Sequence, residues 1–288
     1  VRDIAVLEER DHPLAEFFEN LRETRREMRA PPGTKQRCAL QTMVRDEAFF
    51  LPIFLRYYSR FFGPEDIYVL DHGTTDGSTD VGGFVRIPVE RKKVDNAWIL
   101  ERLKSHQRSL LESYDVVLTV DADEIVAPDP AWGTLGEYLE GFQEEWVNCL
   151  GYEILHLPDR EPPLDPSRPV LEQRGYWFAA DGYDKPSLAT APTPWAVGFH
   201  GREDRELNID PDLRLIHLHR IDHEQCRRRH RRSSEWSWAR RDVKGGWGRH
   251  NRITDEAEFE EWYYEGSCFL DGREVVLEQI PERWKGLF

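Results

Sequence analysis

With 288 residues, 39% of them hydrophobic and 12% aromatic, the chain can bury a sizeable core as one large domain or two small ones. Its formal charge of -15 excludes unspecific attraction to nucleic acid or anionic lipid, so any anion it binds must meet a local basic patch. Cys38, Cys149, Cys226 and Cys268 lie far apart with no CxxC spacing, which indicates neither a disulfide framework nor a zinc knuckle and fits a reducing cytosol. No apolar run approaches the ~20 residues of a membrane span, and the acidic opening "VRDIAVLEERDHPLAEFF" lacks the basic and apolar regions of a signal peptide. The expected location is cytoplasmic, free or peripheral at the inner membrane.

Leu14, Phe17, Phe18 and Leu21 recur at helical spacing behind a candidate Asp11 cap, predicting a helical N-terminal arm over 1–34 that "RAPPGTK" ends. "RCALQTMV" predicts a strand, and Phe50, Phe54, Tyr57, Tyr58 and Phe61 predict a helix stopped by Gly63-Pro64. "DIYVLD" is the next strand, followed after "HGTTDGSTD" by a short one, "FVRIPV". A helix then carries Leu100, Leu103, Gln107, Leu110 and Tyr114 on about one face. Val116, Val117, Leu118 and Val120 form the β-branched run of a strand covered on both faces. The order β-α-β-β-α-β predicts an α/β, Rossmann-like fold, a mostly parallel sheet flanked by helices with ligands at the carboxyl ends of its strands. From Trp146 the pattern turns to irregular strands and proline-rich loops, ending in the strand-like "DLRLIHLHRID". Past Asp222 it becomes helical and basic, with a further helix around Phe259, Trp262 and Tyr263. The expected organisation is the arm, a catalytic domain over 35–222 (nucleotide-binding half 35–130, acceptor half 131–222), and a basic helical C-terminal extension over 223–288.

The opening chemical question is why "YDVVLTVDADEIV" turns from apolar to acidic at one residue. Asp121, Asp123 and Glu124 repel one another unless a cation, a proton or a basic partner sits among them. Two carboxylates one residue apart at a strand end can share a divalent ion, Mg or Mn, whose charge would face a diphosphate. An isolated DxD is as readily an acidic turn. Here an apolar strand precedes it, and earlier strands also end in acids: Asp46 and Glu47 beside Arg45, and Asp71 before a turn of Gly, Thr and Ser. Such carboxylates accept from ribose hydroxyls or a base N–H, although Asp46 also suits a helix cap. His217 and His219, two apart, point to the same side if they lie in a strand, where a neutral imidazole completes a metal shell. The basic segment "CRRRHRRSSEWSWARRDVKGGWGRHNR" interleaves arginines with Trp236, Trp238 and Trp247; it reads as a lid over a diphosphate or as a solvated helix salt-bridged to an acidic body. Neither a Walker A motif nor GxGxxG occurs.

Together, "MVRDEAFFLPIFLRYYSRFFGPEDIYVLDHGTTDGSTD", then "DADEI", then "LIHLHRID" resemble the GT-A nucleotide-sugar glycosyltransferases of family 2, nearest their bacterial branch with a strand-end DxDE and a late His. The resemblance spans about 37–222, with the tail "GWGRHNRITDEAEFEEWYYE" and "IPERW" also similar. It implies a metal-dependent transfer of a sugar from a nucleotide-diphosphate donor, UDP favoured, to a hydroxyl of a glycan, lipid-linked saccharide or small molecule. On that pattern Asp46, Glu47 and Asp71 hold the nucleoside, with Arg45, Gln107, Ala122 and Lys185 as further donor contacts. Asp121 lies near ribose and metal, Asp123 is the main metal ligand, and His217, then His219, complete the shell. Arg220, Arg231 and Arg232 are phosphate or lid residues, and Trp195 and His200 candidate sugar or phosphate contacts. An inverting transfer needs a base, for which Asp181, Asp184, Glu203 and Asp204 are candidates; the acidic pair that opens the acceptor helix in many members is not evident. Two other readings stay open: a HAD-like phosphohydrolase with Asp121 as nucleophile, and a non-catalytic nucleotide-sugar binding module.

Overall fold

Apolar strands that end in acids decide the first half of the molecule. The computed structural model describes residues 6–7, 20–23, 25, 36–89, 91–265 and 275–288. A two-residue strand, β1 (Val6–Leu7), precedes β2 (Cys38–Val44), which is buried along most of its length. Helix α1 (Phe50–Tyr58) follows, burying Phe50, Leu51, Ile53, Phe54, Tyr57 and Tyr58. Then come β3 (Ile67–Asp71), β4 (Val85–Pro88), α2 (Asn96–Leu110) and β5 (Val116–Thr119). Strands β4, β3, β2 and β5 are neighbours in that order and all parallel, as an alternating β/α pattern requires. The observed class is the expected one, a mixed, mostly parallel sheet flanked by helices.

The helices lean on the sheet through faces the sequence marks. Asp95 caps α2 by accepting from the Trp98 N–H at 3.2 Å, and Leu100, Leu103, Gln107 and Leu110 are its buried face. Tyr114 lies beyond the end of the helix and its hydroxyl donates to Asp66 at 2.8 Å. Helix α1 reaches further. The Tyr57 hydroxyl donates to the Val126 carbonyl at 3.0 Å, and the Tyr58 hydroxyl accepts from the Val126 N–H at 2.8 Å, which pins the chain directly after the acidic motif.

Beyond β5 the sheet becomes mixed. Strands β6 (Glu124–Pro128), β7 (Trp146–Ile154), β8 (Tyr176–Ala179), β9 (Pro186–Ala189) and β10 (Ile209–His217) join it, with the short helix α3 (Leu135–Glu140) after β6. Strand β9 runs antiparallel between β5 and β7, while β10 pairs parallel with β7 and antiparallel with β6. This register sets His217 opposite Glu124 on one side and Glu153 on the other. The C-terminal region supplies α4 (His223–Ser234, capped by Asp222), α5 (Arg240–Gly245), α6 (Glu256–Tyr263) and a strand, β11 (Leu277–Gln279), that pairs with β8 and β1.

One apolar cluster runs from Leu40 to Phe288, and a second, under α4 and α6, gathers Leu155, Phe178, Cys226, Phe259, Tyr263 and Leu277. The arm expected to be helical over 1–34 is helical at residues 20–23 and 25 but a strand at Val6–Leu7, drawn into the sheet by pairing with β11, and Arg22 and Arg25 bond Asp212 and Glu144 at 3.0 and 2.6 Å. Leu14, Phe17, Phe18, the Asp11 cap and Cys268 lie outside the described residues. No helix among the described residues is long and apolar enough to cross a membrane.

Trp284 is fully buried, its ring edge-on to Trp177 at 5.5 Å and 4.7 Å from the Arg214 guanidinium. Trp284→Ala should therefore cost about 3–5 kcal/mol in urea unfolding, with a single transition retained. A loss below about 1 kcal/mol would mean that the last residues are not part of the cooperative core.

Candidate metal centre and its cleft

The strand register brings acids and imidazoles to one point. Strand β5 ends at Thr119, and the following turn presents Asp123 beside the end of β10, where the Leu218 N–H donates to the Asp123 carbonyl at 2.8 Å. His217 Nε2 lies 3.4 Å and His219 Nδ1 3.7 Å from Asp123 Oδ2, so the two histidines do share a side, although His219 falls just past the strand. Behind His217, the buried Glu153 accepts from its Nδ1 at 2.7 Å and from the Arg220 N–H at 3.2 Å. The Tyr183 ring lies 4.1 Å from the His217 ring. Arg229 reaches in from α4, donating through Nη1 to Asp123 Oδ2 and through Nη2 to Glu47 Oε1, the latter at 2.7 Å.

Electrostatics follow from that geometry. Burial opposes a charge on Asp123, but Arg229 and the two histidines outweigh it and hold its carboxyl well below the usual range. Burial likewise disfavours imidazolium at His217, yet the Glu153 and Asp123 carboxylates override it and raise the ring to about 10. Burial pushes Glu47 and Glu124 up, opposed by Arg229 and Lys185 respectively. His217 and Arg229 are thus the two positive charges that face Asp123, the same charge that one divalent ion would carry.

The donor set fits such an ion. Asp123, His217 and His219 place one ligand atom each within 4.8 Å of one another, against about 3 Å between adjacent ligands around an octahedral cation with bonds of ~2.1 Å. Two imidazoles beside a single carboxylate suit a first-row transition ion better than Mg, which prefers oxygen. Arg229 Nη1 contacts both Asp123 Oδ2 and His219 Nδ1, so an ion held by these groups would compete with the guanidinium for Asp123.

These residues floor a cleft of about 640 Å³ at the carboxyl edge of β2 and β5. Of the expected site residues, Arg45, Glu47, Asp121, Ala122, Asp123, Lys185, His217, His219 and Arg220 line it, as does His200. Lys185 bridges Asp121 at 2.8 Å and the buried Glu124, and with Arg229 and His217 beside Asp123 this answers how the three clustered acids are tolerated. Arg45 lies 5.0 Å over the Trp236 ring, and His72 and Asn96 continue that wall.

Other expected residues are held elsewhere. Asp46, in the left-handed region at φ 55°, spends Oδ1 on the Thr75 and Asp76 N–H groups, tying the loops after β2 and β3 together. Asp71 is buried and accepts from the Thr74 N–H, the Thr79 hydroxyl and Arg86 at 2.8–2.9 Å. Gln107 bonds Thr193 through both ends of its amide. Trp195 is buried and donates to the Pro186 carbonyl at 3.0 Å. Among the base candidates, Asp184 accepts from the Gly151 N–H at 2.8 Å, Glu203 pairs with Lys104 at 2.8 Å, and Asp204 is bidentate to Arg202. Asp181, which opens a 3-10 turn over Asp181–Tyr183, does not line the cleft either. Arg231 pairs with Glu256, and Arg232 lies 5.9 Å from the Trp236 ring without lining the cleft.

Sequence reasoning did not single out Glu153, His230 or the particular place of Arg229. Cys226, His230 and Ser233 are the buried residues of α4, spaced four and three apart, and that period is the signal the segment offers.

No protein-family model matches the chain, and no curated protein matches it. Two solved structures show a weak likeness. One, described as a mycobacterial protein, is 18% identical, covers 63% of this chain and 65% of its own length, and has a TM-score of 0.36. The other is glucosyl-3-phosphoglycerate synthase from Mycobacterium tuberculosis in complex with Mn2+, uridine diphosphate and glucosyl-3-phosphoglycerate, at 15% identity, 74% and 78% coverage and a TM-score of 0.35. This chain thus spans 65% of the length of the first. Likeness at this level does not establish a shared activity.

Two measurements follow. Arg229→Met leaves Asp123 and Glu47 buried without their guanidinium, so the metal-free protein should lose about 3–5 kcal/mol, with millimolar Mn2+ restoring part of it; unchanged unfolding would show that the cluster does not depend on Arg229. Burial, aided by Asp181, raises Asp184 to about 7 in the fold. Between pH ~4 and 7 the folded state holds a proton the unfolded chain has released, so this residue's contribution to stability falls as pH rises through that window. Asp184→Asn, which keeps an acceptor for Gly151, should gain stability at pH 8 and none at pH 4; melting curves at both values check it.

Proposed function

We propose that the chain is a metal-dependent glycosyltransferase of GT-A type that takes a nucleotide-diphosphate sugar, UDP-sugar first, and transfers the sugar to an acceptor hydroxyl. The observation that carries this reading is the convergence of Asp123, His217 and His219 on the floor of a large cleft at the carboxyl edge of a parallel sheet. A divalent ion held by these three groups would offset the charge that develops on a departing diphosphate.

The chain's own residues would supply the rest. Glu153 fixes the His217 ring through Nδ1 and leaves Nε2 turned toward Asp123. Lys185 orients Asp121, half exposed at the cleft wall, as an acceptor for ribose hydroxyls. Trp236, braced by Arg45, offers a face for a base. Tyr183, Trp262, Trp247 and His250 are among the further aromatic residues that line the cleft, suited to sugar rings. Arg229, which lines the cleft, would offer its guanidinium fork to phosphate oxygens if an ion took its place at Asp123.

Calorimetry of UDP with and without Mn2+ tests the reading. The wild-type protein should bind UDP at least tenfold more tightly with Mn2+ present, roughly 1.4 kcal/mol. Asp123→Ala, which removes one buried charge together with a metal ligand, should lose that dependence while remaining folded. UDP affinity indifferent to both metal and Asp123 would sink the proposal. Metal-dependent binding with no donor hydrolysis and no transfer to any acceptor would identify a binding module instead.

A further inference from the structure

His219 and His230, both buried, stand 2.9 Å apart, Nε2 to Nε2, with Trp262 and Phe259 against the His230 ring. Which nitrogen carries which proton is fixed by a third group. Arg229 Nη1 lies 3.3 Å from His219 Nδ1, and a guanidinium can only donate, so Nδ1 presents its lone pair. The proton of the neutral His219 ring is then on Nε2, pointed at His230, which must accept it. That places the His230 proton on its Nδ1, a buried nitrogen with no hydrogen-bond partner among the described residues. A buried N–H left without a partner destabilises the fold, and an apolar residue at 230 would avoid that cost.

We infer that His230 is a positioning residue: it holds His219 in the tautomer that turns the Nδ1 lone pair toward the cation position beside Asp123. This rests on the metal reading above. The competing tautomer has an evident attraction, because a proton on His219 Nδ1 would face the Asp123 carboxylate, 3.7 Å away. Without an acceptor at Nε2 only the Arg229 contact at Nδ1 opposes that arrangement, and the balance moves toward a proton on the nitrogen that should meet the ion. Helix α4 thus carries both groups that decide the state of His219: Arg229 at Nδ1 and, one residue on, His230 at Nε2.

The test compares wild type with His230→Phe, which fills the pocket but cannot accept, and His230→Gln, whose amide oxygen can. Mn2+ affinity is read from the loss of the free-ion electron paramagnetic resonance signal, and the His219 tautomer from long-range 15N–1H correlations in the metal-free protein. His230→Phe should weaken Mn2+ binding by about 10–100-fold and move the His219 proton to Nδ1, whereas His230→Gln should keep most of the affinity and the wild-type tautomer. A folded His230→Phe protein that binds Mn2+ as tightly as wild type overturns the inference, as does a wild-type His219 already protonated at Nδ1. So does a stoichiometric zinc ion in the purified protein that Cys226→Ser removes, since Cys226, His219 and His230 would then be its ligands. If wild type leaves the free-ion signal unchanged, the metal reading falls, and the tautomer comparison alone decides the role of His230.

Discussion

Carboxylates buried at the meeting of strands need positive charge close by, and this constraint organises the molecule. Glu47, Asp123, Glu124 and Glu153 are all buried. Removed from water alone, each would cost several kcal/mol. Their partners arrive from three directions: Lys185 from the segment before β9, His217 from β10, and Arg229 from α4. The same crowding leaves Asp123, His217 and His219 with one ligand atom each within 4.8 Å of one another, a grouping that could hold a metal ion.

Much of the scaffold was legible in the sequence. Strands β2, β3 and β5 announce themselves because each is an apolar run that stops at an acid or a polar turn, and helices α1 and α2 because their buried faces repeat with helical period. Asp222 opens α4 as a cap, and the family resemblance pointed to the vicinity of Asp123 and the late histidines. The pairings that matter most were not legible. Nothing local to "EIVAP" or "LRLIH" says that these segments lie side by side in the register that faces His217 with Glu124, since that depends on contacts across some ninety residues.

Helix α4 shows the second limit. "HEQCRRRHRRSS" has no apolar stripe, so a hydrophobic period cannot reveal its inner face, and its arginines look interchangeable. In the fold they are not: Arg227 and Arg231 pair with Glu256 near the surface, while Arg229 penetrates to Asp123. Asp71 shows the same limit from another side. A strand-end acid suggested a ligand contact, but Arg86 on β4 takes up its carboxylate, a pairing visible only once β3 and β4 lie side by side. Gly151 is a third case. A Cβ there would come within 2.4 Å of the Ala180 carbonyl, so glycine alone lets the turn before Lys185 lie flat on β7, a need no local pattern advertises.

Arg229 follows Asp123 by 106 residues and Glu47 by 182. At ribosomal speeds of ~5–20 residues per second, the nascent polypeptide carries its acids for roughly 5–20 s before the guanidinium that will seat against Asp123 is even made. Until then this corner must stay open and hydrated while the neighbouring apolar layers are free to condense. Closure of this corner therefore waits on a helix made long after its acids, and a chain stopped before α4 would leave the corner without the guanidinium that seats against Asp123.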